Sequence, residues 1–260
     1  MHGQWSFLRK ILIEMSQSLV IIPTYNEKEN IENVIRIVFS LNEPFHVLVV
    51  EDNSPDGTAD IVKGLMKEFE GRLFIEERKG KLGLGTAYIH GFKWGLQRDY
   101  SYIIEMDADL SHNPADLPRL LEACRNGADV AVGSRYITGV NVVNWPMSRV
   151  LMSYYASAYV RIITRMQVRD TTAGFVCYKR KVLETIDLNN IRFVGYAFQI
   201  EMKYSAWKLG FQIVEVPIIF TDRTEGTSKM NKRIFREAVL GVLTLRWRGL
   251  TGRIKPATNA

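Results

Sequence analysis

Short apolar runs, each stopped by polar loop residues and followed by a helical pattern, organise the first half of the chain. "SLVIIPTYNE" reads as a strand, and "ENIENVIRIVFSL" as the helix after it, with Thr24 or Asn26 as its cap. "FHVLVVEDNSPDGT" and "TADIVKGLMKEFE" repeat the pair, as do "RLFIEER" and "LGTAYIHGFKWGLQ". "YSYIIEMDAD" is a fourth strand, "PADLPRLLEACRNG" a helix ending at Gly127, and "ADVAVGSRY" a fifth strand. Strands that are apolar throughout, rather than alternating, are buried on both faces. The pattern therefore predicts an α/β fold with a mostly parallel central sheet and helices on both faces. Ligands of such sheets bind beyond the carboxyl ends of the strands, and "PTYNE", "EDNSPDG", "ERKGKLGLG" and "DADLSH" all fall there.

Past residue 140 the rhythm changes. "SRVLMSYYASAYVRIITRM" is a long amphipathic helix rich in Tyr and Met. "TTAGFVCYKRKVLETI" and "GYAFQIEMKYSAWKLG" follow, then one strand, "FQIVEVPIIFTDR", and a basic C-terminal helix. No repeat, low-complexity tract or Gly/Ser linker divides the 260 residues. The expected organisation is an N-terminal amphipathic extension (1–17), a single catalytic domain (18–245) and a basic tail (246–260). The extension places Trp5, Leu8, Ile11, Leu12 and Met15 on one helical face, without the apolar core and cleavage site of a signal peptide.

Charge adds one fact. From Asp222 onward nine Lys/Arg stand against three Asp/Glu, so the whole net charge of +6 lies in the last 39 residues. A localised basic end suits phosphates, on nucleic acid or on an anionic membrane, and equally a solvated helix face. No window offers the ~20 apolar residues of a membrane span, so the chain is expected in the cytoplasm. The two cysteines, Cys124 and Cys177, form no CxxC pair and read as reduced structural thiols. The four histidines form no zinc pattern.

The polar clusters suggest chemistry. Asp107-x-Asp109, with Ser111 two further on, offers hard oxygens suited to Mg²⁺ or Mn²⁺, ions that bind through one or two carboxylates plus substrate phosphates. A turn or cap explains one such aspartate, but two at a strand end exceed what a cap needs. Glu51 and Asp52 end another strand, where an acid can receive a ribose or base, while "SPDG" beside them is a good turn. "RKGKLGLG" carries Arg78, Lys79 and Lys81 beside glycines, yet fits neither the P-loop nor the dinucleotide fingerprint. Arg135, Arg149 with Ser153 one turn later, and Arg223 with Ser228 and Lys229 are candidate phosphate grips. For Arg149 the plainer reading is a solvated charge at a helix start.

Taken together, "IIPTYNE", "EDNSPDGT", "KLGLGTAYIHG", "MDADLSH", "GSRY", "TTAGFVCYKR", "GYAFQIEM" and "DRTEGTSK" resemble the family 2 glycosyltransferases of GT-A fold, over roughly residues 18 to 245. Within them the resemblance is to the dolichyl- or polyprenyl-phosphate mannosyltransferases. It implies an inverting transfer of mannose from GDP-mannose to a polyprenyl phosphate. Pro23, Tyr25, Glu27, Val50, Asp52 and Ala108 would hold the donor with Asp107 and Asp109. Asp107, Asp109 and Ser111 would hold Mg²⁺ or Mn²⁺; members of the family carry Gln where this chain has Ser111, a shorter ligand. Arg223 and Lys229 would close over the diphosphate, and Asp109 and Arg223 would be catalytic. Arg135, Arg149 and Ser153 would receive the lipid phosphate. Tyr154, Tyr155, Tyr159 and Met152, with Trp247, Arg246 and Arg248, would seat isoprenoid and headgroups in peripheral contact with a membrane surface, with core packing an equal reading of the aromatic stripe. Another donor, such as UDP-glucose, or a non-lipid acceptor is the nearest alternative. A nucleic-acid-binding role lacks any motif and leaves the acidic strand ends without a task, and against an inactive scaffold stand the intact Asp107-x-Asp109 pair and the Arg-x-x-Gly-x-Ser-Lys loop.

Overall fold

A computed structural model describes residues 17–195, 197–222 and 232–257, with the backbone alone for 232–239. Among these residues one sheet dominates. Its strands are β1 (Ser18–Thr24), β2 (His46–Glu51), β3 (Leu73–Glu77), β4 (Tyr102–Glu105), β5 (Val130–Ser134), β7 (Val176–Lys179) and β8 (Ile213–Pro217), in the order β3-β2-β1-β4-β7-β5-β8. β1 pairs in parallel with both β2 and β4, β2 with β3, and β5 with β8. β7 alone is antiparallel to its neighbours, β4 and β5. A two-residue strand, β6 (Val142–Val143), pairs in parallel with β9 (Phe220–Thr221) beside the main sheet. The single late strand expected from "FQIVEVPIIFTDR" is thus broken into β8 and β9. Between them Ile218 donates its N–H to Ser134 of β5 at 3.1 Å and buries its side chain in the core.

Helices cover both faces. On one, α1 (Ile31–Ser40), α2 (Thr58–Met66) and α4 (Leu117–Arg125) bury Ile31, Val34, Ile35, Val38, Leu117 and Leu121 against β-strand residues such as Val20, Ile22 and Val49. On the other, α3 (Leu84–Leu96), α6 (Arg180–Thr185) and α7 (Ala197–Lys208) pack on Leu19, Ile21, Leu48 and Ile103. α3 lies unusually close to the sheet because glycine faces it: a Cβ on Gly91 would meet Ile21 at 2.7 Å. The amphipathic helix α5 (Met147–Thr164) and the C-terminal helix α8 (Lys232–Leu250) share a third cluster with α7, built on Val160, Tyr204, Val242 and Leu245. α8 runs through to Leu250 without a break, so the expected start of a separate tail at residue 246 falls inside it. Strand order reverses between β1 and β4, and the carboxyl ends there open into a crevice.

Candidate active site

β4 ends at Glu105, and the chain turns at once into the two aspartates. Leu110 takes a left-handed backbone (φ 59°), a costly conformation for a branched side chain. That turn lets the main-chain N–H of Ser111 donate to Asp109 Oδ1 at 3.1 Å. Asp107 is held from two sides. Tyr88 Oη, on α3, donates to its Oδ1 at 3.1 Å, and its own N–H donates to His112 Nδ1 at 3.1 Å. Burial, and then the negative charge of Asp107, push the Tyr88 phenol well above its usual range, so it stays a donor. Ser111 is buried, and its hydroxyl has no hydrogen-bond partner among the described residues.

A cavity of about 540 Å³ starts at these residues. Asp107, Asp109, Ser111 and His112 line it. Arg135, Trp145, Arg149 and Ser153 line it too. Met152, Tyr155 and Tyr159 from α5, with Ile200 from α7 and Val242 from α8, make an apolar wall. Arg135 is the more deeply set cation. Its Nε and Nη2 donate to Asp170 at 2.7 and 2.6 Å, and Nη2 also donates to Thr172 at 2.9 Å. Burial alone would lower the arginine and raise the carboxyl, but their mutual attraction outweighs it in both, raising Arg135 and lowering Asp170. Asp170 is itself fixed by Glu215 of β8, whose carboxylate accepts the N–H groups of Arg169 and Asp170 at 2.7 and 2.9 Å. Arg149 is half-buried over the Trp145 ring, 4.1 Å from its centroid, and donates to Asp222 at 2.7 Å. The solvated helix-start charge is therefore not what Arg149 is. Ser153 accepts a hydrogen bond from Tyr136 Oη at 2.8 Å.

The residues expected to hold a nucleotide gather on the neighbouring strands. Pro23, Tyr25 and Glu27 follow or end β1, and Asp52 follows β2. Asp52 is not a bare carboxylate: Arg78 grips both its oxygens, at 2.6 and 2.8 Å, and reaches Thr86 at 2.9 Å. Lys81 lies over the Tyr25 ring at 4.3 Å. The side chains of Val50 and Ala108 are core residues, so any hold they have on a ligand falls to their main chain. Arg223 and Lys229 lie outside the described residues, as does the N-terminal extension. Arg248, expected at a lipid headgroup, is buried instead against Glu201. A charge sited there would cost several kcal/mol unpaired, and Glu201 supplies the partner.

The aspartates and the Ser111 hydroxyl are the described groups suited to a hard cation. Among the described residues no cluster of three or more His, Cys, Asp or Glu could hold a metal. A cation here would need substrate oxygens to complete its shell, as Mg²⁺ commonly does. The unsatisfied Ser111 hydroxyl beside two carboxylates fits such an ion. Sequence reasoning missed several groups: Asp170 and Thr172, Trp145, and a buried trio beneath the aspartates formed by Glu105, Gln199 and Lys203. Gln199 and Lys203, one turn apart on an otherwise apolar helix face, were the readable signal.

The open sheet has its switch point at β1 and β4, with an acidic pair there and a cation-lined cavity beyond. The chain belongs to glycosyl transferase family 2, whose family model matches residues 19–187, and it is an enzyme of the transferase class. It is 46% identical over 241 residues to the polyprenol monophosphomannose synthase of Mycolicibacterium smegmatis, covering 93% of this chain and 90% of that one. It is 45% identical over 240 residues to the undecaprenyl-phosphate mannosyltransferase of Micrococcus luteus, covering 91% and 98%. Among solved structures it resembles glucosyl-3-phosphoglycerate synthase of Mycobacterium tuberculosis, in complex with Mn²⁺, UDP and phosphoglyceric acid (TM-score 0.65, 16% identity, 90% and 81% covered). It also resembles a mannosyltransferase of Pyrobaculum calidifontis in complex with GDP-Man and Mn²⁺ (TM-score 0.57, 16% identity, 94% and 65% covered). These structures support the GT-A fold.

Proposed function

We propose that this protein transfers mannose from GDP-mannose to the phosphate of a polyprenyl phosphate, with inversion at the anomeric carbon. One observation carries the reading: a single cavity joins the paired aspartates, two arginines and a long apolar wall. A sugar nucleotide needs the first, a phosphate the second and an isoprenoid the third. The names of the two relatives at 45–46% identity support a lipid-phosphate acceptor and mannose as the sugar.

In this reading Asp107, Asp109 and Ser111 hold a divalent cation, which when bound would neutralise charge on the departing nucleoside diphosphate. Arg135 and Arg149 orient the acceptor phosphate. Asp170 keeps Arg135 charged and fixed, so little reorganisation accompanies binding. A phosphate monoester has its second pKa near ~6, so at neutral pH it is nucleophilic without a general base. The apolar wall excludes water that would compete as acceptor. Peripheral membrane contact belongs to the same reading. Leu240, Leu243, Trp247 and Leu250 make an exposed apolar stripe along α8, next to α5 with its exposed Leu151, Tyr155 and Ile162. No helix among the described residues is long and apolar enough to cross a membrane.

The test is transfer of labelled mannose from GDP-mannose into organic-extractable polyprenyl phosphate, with Mg²⁺ or Mn²⁺ and with EDTA. Metal-dependent label is expected, and Asp109→Ala is expected to abolish it. Label from UDP-glucose but not GDP-mannose would overturn the donor, and no transfer from any sugar nucleotide would overturn the reaction.

A further inference from the structure

His112 has no task in the reaction as described, yet it is built into the site. Its Nδ1 lies 3.1 Å from the main-chain nitrogen of Asp107. A main-chain N–H only donates, so Nδ1 carries the lone pair and the proton of the neutral ring sits on Nε2. The ring cannot turn to hide that proton. It stacks on Phe175 (centroids 5.0 Å apart, planes at 14°) and meets the Phe220 ring edge-on at 5.5 Å. Only 3% of the residue is accessible, and it lines the cavity. Nε2 has no hydrogen-bond partner among the described residues.

Gly174 marks what lies in front of the ring. A Cβ built there would stand 3.7 Å from His112 Cε1, 3.6 Å from Gln199 Nε2 and 4.0 Å from Asp107 Oδ2. The missing side chain leaves open a small space on which three polar groups converge. The ring lines the cavity, so a ligand in this space can accept the hydrogen bond that Nε2 offers.

We propose that His112 is a further substrate-binding residue, whose Nε2–H donates to a phosphoryl oxygen in this cavity. It does so while Nδ1 keeps its hold on the Asp107 main chain. The inference rests on the phosphate chemistry of the proposed function; the phosphoryl group belongs either to the nucleoside diphosphate or to the lipid phosphate.

Two substitutions separate this role from packing. His112→Asn keeps an acceptor near Nδ1 for the Asp107 N–H and removes the outer donor. His112→Gln keeps a donor near Nε2 and gives up the inner acceptor. Thermal melts check that both fold. His112→Asn is expected to lose about 10- to 100-fold in kcat/KM, the range for a hydrogen bond to a charged group, with His112→Gln closer to wild type. Titration of GDP with Mn²⁺, which needs no turnover, locates the loss. Weakened GDP binding assigns the oxygen to the donor, whereas unchanged GDP binding with a raised KM for polyprenyl phosphate assigns it to the acceptor. Wild-type kinetics and GDP binding in a folded His112→Asn, with His112→Gln impaired, would overturn the proposal and leave the ring as a brace for Asp107. Wild-type protein that transfers no sugar would instead remove the functional reading on which it rests.

Discussion

Glu105 and Lys203 are both wholly buried, one at the end of β4 and the other on α7. Gln199 links them: its Nε2 donates to Glu105 Oε2 at 2.6 Å, and Lys203 Nζ donates to its main-chain and side-chain oxygens at 3.2 and 3.4 Å. One carboxylate oxygen of Glu105 has no partner among the described residues. Desolvation pushes the Glu105 carboxyl up, to about 8, and the Lys203 ammonium down, to about 8, against their mutual attraction. The stability Glu105 contributes is complete below its ordinary 4.5 and is lost as pH rises through about 8. That of Lys203 is complete above 10.5 and is lost as pH falls through about 8. Breaking such a pair costs about 3–5 kcal/mol, whereas replacing both members with apolar groups is often neutral or better. Glu105→Leu with Lys203→Met is therefore expected to be more stable than Lys203→Met alone, in denaturant melts of all four members of the cycle. Asp170 has the opposite sign to Glu105. Its carboxyl is held below the ordinary 3.8, so its contribution is present above that pH and is lost as pH falls below it. Asp170→Asn is expected to melt lower at pH 7, by about 3–5 kcal/mol for an orphaned Arg135. Its stability should also depend less on pH below 4, as melting temperatures across pH 3–7 will show.

At the level of elements, the glycines of α3 have two different causes. Gly83 sits at φ 104° ahead of the helix, a conformation glycine alone takes easily. Gly85, Gly91 and Gly95 sit in the helix because larger residues do not fit: a Cβ would meet Phe198 at 2.8 Å, Ile21 at 2.7 Å and Ile103 at 2.9 Å. Within the "KLGLG" run, Gly83 thus answers to backbone conformation and Gly85 to packing. Gly91→Ala is expected to destabilise by about 1–3 kcal/mol despite alanine's better helix propensity, a sign that urea melts read directly. The five strands of the first half were legible because each is a continuous apolar run with a turn behind it. β7 was not legible as an antiparallel insertion. Its four residues, VCYK, carry no periodicity, and its place between β4 and β5 is set by tertiary pairing alone. The candidate site divides the same way. Asp107, Asp109, Arg135, Arg149 and Ser153, on or just after regular elements, are the candidates that line the one cavity. Asp170, which orients Arg135 from 35 residues away, carries no local signal.

At the scale of the whole chain, the net charge and an exposed apolar stripe belong to the same stretch of sequence. The basic excess of the last 39 residues accompanies the exposed stripe of Leu240, Leu243, Trp247 and Leu250. Composition revealed the charge but not which arginines are free to use it, since Arg248 is spent on Glu201. In the proposed reading this end meets the bilayer that supplies the acceptor. Trp247→Ala with Leu243→Ala is expected to reduce co-sedimentation with anionic vesicles several-fold, at about 25 cal/mol per Å² of apolar surface withdrawn, while leaving GDP binding unchanged. Equal sedimentation of variant and parent would exclude this face as the contact.

The tie between α7 and α8 also fixes an order of events during synthesis. Glu201 accepts the N–H groups of Arg192 and Phe193 on one oxygen, and its other oxygen waits for Arg248, 47 residues later. Chains are synthesised at about 5–20 residues per second, so Arg248 is added several seconds after the carboxylate it pairs with. Val242 closes the apolar wall in the same late segment. The greasy compartment thus lacks one side until α8 has been made, well over a hundred residues after the acidic strand ends.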